Sequence, residues 1–168
     1  MILNMKWANG LAIGLLLFFS SSCATYYQIN SEFNQDFEYG NIEAAKKVLD
    51  QNKKAGRKKA QFLYFVNQGV VNTMLGNYEK SNEWLEKAYL FGEDYQKNYA
   101  NIAASFLVNP NTTMYQGEDH EHLLLLYYKS LNYLKLNDYE AALVECRRLN
   151  LRLNEQSDKD KSDNKYKR

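Results

Sequence analysis

The sequence has few of the turn-forming residues that non-helical folds require. It contains a single proline and 8 glycines, whereas β-sandwiches and α/β domains need many turn-forming residues. Its charge shows no excess of one sign, with 21 Lys+Arg against 20 Asp+Glu and a net charge of +1. A nucleic-acid-binding protein normally gathers a basic excess on one face. The composition therefore favours an all-α fold and argues against a nucleic-acid partner.

Long apolar runs are also scarce, and the main one lies at the N-terminus. Lys6 precedes a largely apolar stretch from Trp7 to Phe19, after which three serines lead to Cys23. This order of charge, apolar core and small residues is typical of a secretory signal. The run is shorter than the ~20 residues that a membrane span needs. We therefore predict a signal peptide over residues 1–22.

A cysteine at the end of such a segment resembles the signal of bacterial lipoproteins. The resemblance implies that Cys23 is lipidated with a diacylglycerol and a further acyl chain such as palmitate, which together anchor a protein stably. Ser20 stands where the lipoprotein pattern usually has leucine, so simple secretion is the alternative. Ala24 follows the cysteine in place of an acidic retention signal, which implies the periplasmic side of the outer membrane. Residues 23–30 are predicted as the linker to the anchor.

Cysteine is limited to 2 residues in the chain. If Cys23 carries lipid, Cys146 has no partner for an intrachain disulfide. We predict that Cys146 lies on the inward face of a helix, as a buried structural cysteine rather than a nucleophile.

Three segments of the remaining chain repeat one pattern, at residues 38–49, 74–89 and 135–149. Each has a turn residue that tolerates the left-handed conformation, then an Asn or Asp able to cap the next helix, and then an apolar residue. A small residue follows three places on and allows two helices to approach closely. The turn residues are Gly40, Gly76 and Asn137; the capping residues are Asn41, Asn77 and Asp138; the small residues are Ala45, Ser81 and Ala142.

These segments resemble tetratricopeptide repeats. Gly40 and Gly76 lie 36 residues apart, close to the ~34-residue period of that repeat, and an insert separates the last two units. The resemblance implies antiparallel helix hairpins stacked as a short superhelix over residues 31–156. Its concave face, built from the first helix of each hairpin, is the predicted partner-binding site, with Leu63, Val66, Val70, Leu124, Tyr127 and Leu131.

Residues 115–150 also resemble a family of bacterial envelope lipoproteins with repeats of this kind. The block has a tyrosine, an acidic cluster, a Tyr-rich helix and a Glu-x-Arg-Arg helix. Its matching residues are Tyr115, Glu118, Asp119, Glu121, Tyr127, Tyr128, Tyr133, Glu145, Arg147 and Arg148. The resemblance implies a place in envelope assembly and no established activity.

The acidic and basic groups of this block have a structural and a functional interpretation. Glu118, Asp119 and Glu121 open a helix, where acids favour the positive end of the helix dipole. We expect Arg147 and Arg148 to pair internally with these acids, although the two groups differ in height by roughly 12 Å at ~1.5 Å per residue. The alternative is that the arginines bind an anionic ligand. Glu145 completes the predicted structural charged cluster.

Two further segments carry expectations. Residues 96–108 have an amphipathic helical pattern with Ile102 and Phe106 on the apolar face, and we expect this helix to cover the concave face near Tyr127 and Leu131. Residues 157–168 alternate in charge without an apolar face, which predicts a disordered tail or the fraying end of a helix.

The sequence thus predicts a membrane-tethered adaptor that binds a protein or peptide, and neither an enzyme nor a cofactor-binding protein. The alternative is an accessory subunit of an export or cell-wall enzyme complex. A metal-dependent hydrolase that uses His120 and Glu121 is a remote alternative. His120 and His122 are two residues apart, which points them away from each other on a helix, so no metal site is predicted.

Overall fold

The chain forms antiparallel helix hairpins, as the all-α prediction required. The computed structural model describes residues 26–53, 60–97 and 114–166, and every regular element within these ranges is helical. The main helices are α1 (Tyr26–Glu38), α2 (Ile42–Gln51), α3 (Gln61–Met74), α4 (Tyr78–Lys97), α5 (Asp119–Lys135) and α6 (Tyr139–Tyr166). They pair in chain order as α1 with α2, α3 with α4, and α5 with α6.

The same turn closes each hairpin. Gly40, Gly76 and Asn137 have φ values of 76°, 76° and 60°, which is the left-handed region that glycine and asparagine tolerate. At the second turn, Gly76 N donates to Thr73 O at 3.0 Å and Asn77 N donates to Asn72 O at 2.8 Å. These two bonds form a Schellman motif, and the equivalent bonds occur in the other two turns. The predicted turn residues are therefore confirmed.

The capping prediction is confirmed in part. Asp138 accepts a hydrogen bond from the backbone N–H of Ala141 at 3.0 Å, as an N-cap residue should. Asn41 precedes α2 without a side-chain capping bond.

Small residues bring the two helices of a hairpin together. Ala45 and Ser81 are 0% exposed and Ala142 is 3% exposed, as their place in the repeated pattern predicts. In the second hairpin, a Cβ added at Gly69 would lie 2.4 Å from Cδ2 of Leu85. The absence of a side chain at Gly69 therefore makes the space that Leu85 fills.

The hairpins stack in sequence order. The second helix of one hairpin packs on the first helix of the next, α2 on α3 and α4 on α5, and α3 also contacts α5. Two buried clusters lie at these junctions, and Phe65 packs against both. The first contains Phe33, Ala45, Val48, Leu49, Tyr64 and Val71, and the second contains Phe62, Leu85, Ala88, Leu125 and Leu126.

Two sequence-based boundaries and one burial prediction change. Helix α1 begins at Tyr26, within the predicted linker 23–30. Helix α6 continues to Tyr166, so residues 157–166 form the end of a helix, as one of the two alternatives predicts, and the disordered alternative is wrong for them. Its residues are free of proline and glycine, and Lys161 pairs with Asp158 one turn away at 3.3 Å, which supports an exposed helix. Cys146 is exposed, so the prediction of a buried cysteine is also wrong.

The predicted signal peptide, Cys23 and most of the insert helix at 96–108 lie outside the described residues. Helix α4 ends at Lys97.

Candidate functional site

The predicted partner-binding residues lie on the two neighbouring helices α3 and α5. We call Leu63, Val66, Val70, Leu124, Tyr127 and Leu131 the groove face. The α3 members are half-buried, and Val66 packs against the second core cluster. On α5, Leu124 is 51% exposed and Tyr127 is 49% exposed. The solvent-accessible part of the groove face therefore comes mainly from α5.

The two sides of α5 follow from its residue spacing. Leu124, Tyr127, Leu131 and Leu134 recur every three or four residues and form one side of the helix. The opposite side is buried and follows the same spacing, with His122, Leu125, Leu126, Lys129 and Asn132. Polar residues thus occupy several buried positions, while apolar residues remain in contact with solvent.

A buried lysine lies at the centre of the α4–α5–α6 junction. Lys129 is 1% exposed, and its ammonium pairs with Glu86 of α4 and with Oε1 of Glu145 of α6, the latter at 2.9 Å. Arg148 donates to the same two carboxylates, at 3.4 Å to Glu86 and 3.2 Å to Glu145. We call these four residues the junction ion cluster. Its two positive and two negative charges balance, as buried ions require.

The surroundings of the junction ion cluster stabilise its charges. Burial alone would lower the pKa of the Arg148 guanidinium, but the carboxylates of Glu145 and Glu86 outweigh this effect and raise it. The Arg148 guanidinium also lies over the ring of Tyr89, 4.8 Å from its centroid, a cation–π contact. Burial, followed by the charge of Glu93, raises the pKa of Tyr89. The Arg148 guanidinium is therefore held in its charged form, with Tyr89 uncharged beside it at neutral pH.

A second polar network joins α5 to α3 and α4, nearer the turns. Asn132 of α5 donates to Ser81 Oγ at 2.8 Å and to Asn82 Oδ1 at 3.0 Å. Thr73 of α3 donates to Asn132 Oδ1 at 3.1 Å. Ser81 bonds back to the carbonyl of Gly69 at 2.7 Å. These bonds satisfy the 0%-exposed Asn132, as a buried amide requires.

His122 occupies the other end of α5 and has a packing role. Its ring lies 4.7 Å from the ring of Phe62, and its Nε2 is 2.9 Å from the carbonyl of Gln116. Burial, followed by the positive charge of Arg152, lowers the pKa of His122. His120 is exposed and lies 3.4 Å from Glu118. The two histidines therefore have different environments, and in the described ranges no three His, Cys, Asp or Glu residues are grouped to hold a metal.

The predicted pairing of the acidic turn with the two arginines is wrong. Glu121 accepts the backbone N–H of Glu118 at 2.8 Å, which is part of a capping box at the start of α5. Arg148 instead pairs with Glu86 and Glu145. Arg147 is exposed. The acidic turn and the arginines lie too far apart along the antiparallel helices to pair. Glu121 therefore caps its own helix, and Arg148 pairs with the nearer carboxylates of Glu86 and Glu145.

Lys129 and Glu86 are the residues that the sequence interpretation missed. A signal for Lys129 was present, because it lies in line with Leu125, Leu126 and Asn132 on the buried side of α5. No comparable signal marked Glu86, since its partner is 43 residues away in the chain.

A separate cleft of about 450 Å³ lies between α2, α3 and α4. Its lysines are largely neutralised by local acids: Lys46 pairs with Asp50 at 2.5 Å, and Lys80 pairs with Glu83 at 2.7 Å. Gln68 also bonds to Asp50 at 3.1 Å. Because these acids already pair with the lysines that an anionic ligand would need, we assign no ligand-binding site to the cleft.

Comparison of the chain with family models, with curated proteins and with solved structures gave no match. Among the described residues, none of the helices is both long and apolar enough to cross a membrane.

Proposed function

We propose that this chain is a membrane-tethered adaptor of the bacterial envelope that binds a protein or peptide through the groove face. The supporting observation is the apolar row on α5, where Leu124, Tyr127 and Leu134 are 51%, 49% and 46% exposed. Contiguous exposed apolar side chains mark interaction sites on proteins that are otherwise soluble. Tyrosine at the centre of such a row is typical of residues that contribute most to binding.

The polar contacts on the buried side of α5 also support a binding site. The buried side of α5 is held by the junction ion cluster and by the bonds of Asn132 to α4. A helix fixed in this way presents Leu124 and Tyr127 in a constant arrangement. Preorganisation of this kind lowers the entropic cost of binding. A groove between helices suits an amphipathic helical segment of the partner.

Site-specific photo-crosslinking tests the proposal. A photoreactive amino acid at Tyr127 should link the protein to a defined envelope protein in living cells, because this position faces the bound partner. The matched control carries the same amino acid at the exposed residue Glu79 of α4. A discrete adduct at Tyr127 that also disappears with Leu124→Asp supports the groove face. Equal adducts at both positions, or none at Tyr127, would refute it.

The anchor is tested separately. Cys23→Ser should release the protein from the membrane fraction and abolish labelling with a fatty-acid analogue, because two acyl chains hold a protein where one is marginal. A Cys146→Ser variant is the control and should remain in the membrane. Undiminished membrane association of Cys23→Ser would contradict lipid anchoring while leaving the groove-face experiment informative.

A further inference from the structure

Within the described part of the chain, α6 is the last helix of the stack, and no described helix covers its outward side. Leu143, Val144 and Leu151 are 55%, 44% and 64% exposed. The second helices of the two preceding hairpins are each covered by the first helix of the next hairpin. A helix face that a stacked array leaves to solvent is normally polar. The apolar residues on α6 therefore indicate a face that another helix covers.

Comparison of α6 with α4 shows which contacts the covering helix makes. Alignment of the turns at Gly76 and Asn137 places Leu143 at the position of Asn82 and Arg147 at the position of Glu86. In α4, both of these positions bind the next hairpin, Asn82 through Asn132 and Glu86 through Lys129. On α6, the equivalent Leu143 and Arg147 are exposed. A helix that covers α6 therefore needs an acidic residue opposite Arg147.

The chain itself supplies that acid in the same helix. Glu140 is exposed, and among the described residues neither Glu140 nor Arg147 has an ion-pair partner. The two residues are seven positions apart, nearly two full turns, so they project from the same side of α6. Their separation along the axis, about 10 Å, is too great for a pair within one helix.

We propose that two copies of the chain associate through an antiparallel contact of α6 with α6 about a twofold axis. With the axis between Leu143 and Val144, Glu140 of each copy faces Arg147 of the other. Leu143 and Val144 lie at the centre of the contact, one on each side of the row formed by Glu140 and Arg147. Closed twofold contacts of this self-complementary kind are the commonest in homo-oligomers. Leu151 lies on the same side of α6, four residues beyond Arg147, and extends the apolar surface of this contact.

Charge reversal tests the assignment on the full chain, purified from membranes in detergent and analysed by sedimentation velocity over a concentration series. Glu140→Arg and Arg147→Glu should each raise the dimer dissociation constant by about tenfold or more, because both symmetric pairs become repulsive. The double variant should return to within about threefold of the original value, since it restores both pairs in reverse. Glu79→Arg, the equivalent change on α4, should leave the constant unchanged.

Cysteine crosslinking locates the axis. In a Cys146→Ser background, Val144→Cys should form an oxidised dimer, because the two introduced thiols lie beside the axis. Leu153→Cys is the control, since its copies would be separated by about 28 Å along the helices. Any contribution from Cys23 is the same in both variants.

Three results would overturn the proposal: a single-copy mass at every concentration, a double reversal that fails to restore the dimer, or equal crosslinking of the two cysteine variants.

Discussion

Lys129 offers the most direct test of how the hairpins are joined. Substitution by methionine keeps an unbranched side chain of similar length, so the packing of the stem is largely retained. The ammonium is lost, and Glu145, at 5% side-chain exposure, then faces Glu86 with Arg148 as their remaining cation. Removal of one member of a buried ion pair typically costs about 3–5 kcal/mol because the other charge is left uncompensated. We expect Lys129→Met to lower the free energy of unfolding by that amount.

The measurement is urea unfolding followed by the helical circular dichroism signal. At a slope of about 2 kcal/mol per molar urea, a loss of this size lowers the midpoint by roughly 2 M. Lys80→Met is the matched control: its pair with Glu83 is 56% and 58% exposed, and exposed pairs contribute at most about 1 kcal/mol. The control should therefore leave the midpoint almost unchanged.

A double-mutant cycle with Glu145→Gln separates the ion pair from other effects. Glu145→Gln alone should cost about 1–3 kcal/mol, since it weakens the charge-assisted bonds to Lys129 and Arg148. Once Lys129 is methionine, the same change removes an excess negative charge. The double variant should therefore lose about 1–3 kcal/mol less than the sum of the single losses. Additive losses, or an unchanged midpoint for Lys129→Met, would refute the assigned role of the cluster.

Three further changes test other parts of the fold. Gly69→Ala should destabilise the chain by about 1–3 kcal/mol despite the higher helix propensity of alanine, because the new Cβ overlaps Leu85. In the Gly69→Ala chain, a further Leu85→Ala substitution should relieve part of this loss. An unchanged urea midpoint for Gly69→Ala would contradict the prediction. Burial lowers the pKa of His122 below its ordinary 6.5, so the unfolded chain takes up this proton first. The free energy of unfolding should then decline as pH falls from 7.5 to 5.5, and His122→Gln should flatten the decline; an equal slope would assign the pH dependence to other groups. Asn137→Ala should lower the thermal midpoint and reduce the free energy of unfolding by about 1–2 kcal/mol, because alanine is disfavoured at positive φ. Asn137→Gly should leave both unchanged. Equal effects of the two substitutions would mean that φ at this turn is unimportant.

The sequence allowed prediction of the elements that depend on local physics. The turns at Gly40, Gly76 and Asn137 follow from a backbone preference that only a few residues satisfy. The small residues Ala45 and Ser81 follow from a fixed spacing after each turn. These features recur in the sequence because the same short-range geometry recurs in each hairpin.

Prediction failed where partners are distant in the chain or where burial had to be judged for a single residue. The sequence predicts that Arg148 pairs with the acidic turn, whereas one of its two partners, Glu86, is 62 residues away in the chain. Residue type predicts that Cys146 lies on the inward face of α6, but Glu145 occupies that side. The charged end of α6 lacks an apolar stripe, so periodicity gave no helix signal even though local charge pairs support one. The groove face and the anchor remain predictions, tested by the experiments above.

The contact between α4 and α5 is fixed by paired positions rather than by apolar packing alone. Asn82 bonds to Asn132, and Glu86 pairs with Lys129. A third position shows the same antiparallel register, since a Cβ added at Gly92 would lie 2.3 Å from Cε1 of His122. Apolar surfaces tolerate sliding, whereas each of these contacts requires one partner at one height.

A slip of one turn between the two helices would separate both polar pairs at once. It would leave the 1%-exposed Lys129 and the 0%-exposed Asn132 without their partners on α4, and unpaired buried polar groups are costly. A shifted register would therefore cost more free energy than the loss of any single hydrogen bond or ion pair. Because Tyr127 lies on the same helix as Lys129 and Asn132, the buried polar contacts also determine the height at which Tyr127 and its neighbours face solvent. The polar residues at the junction thus set the geometry of the apolar row proposed to bind the partner.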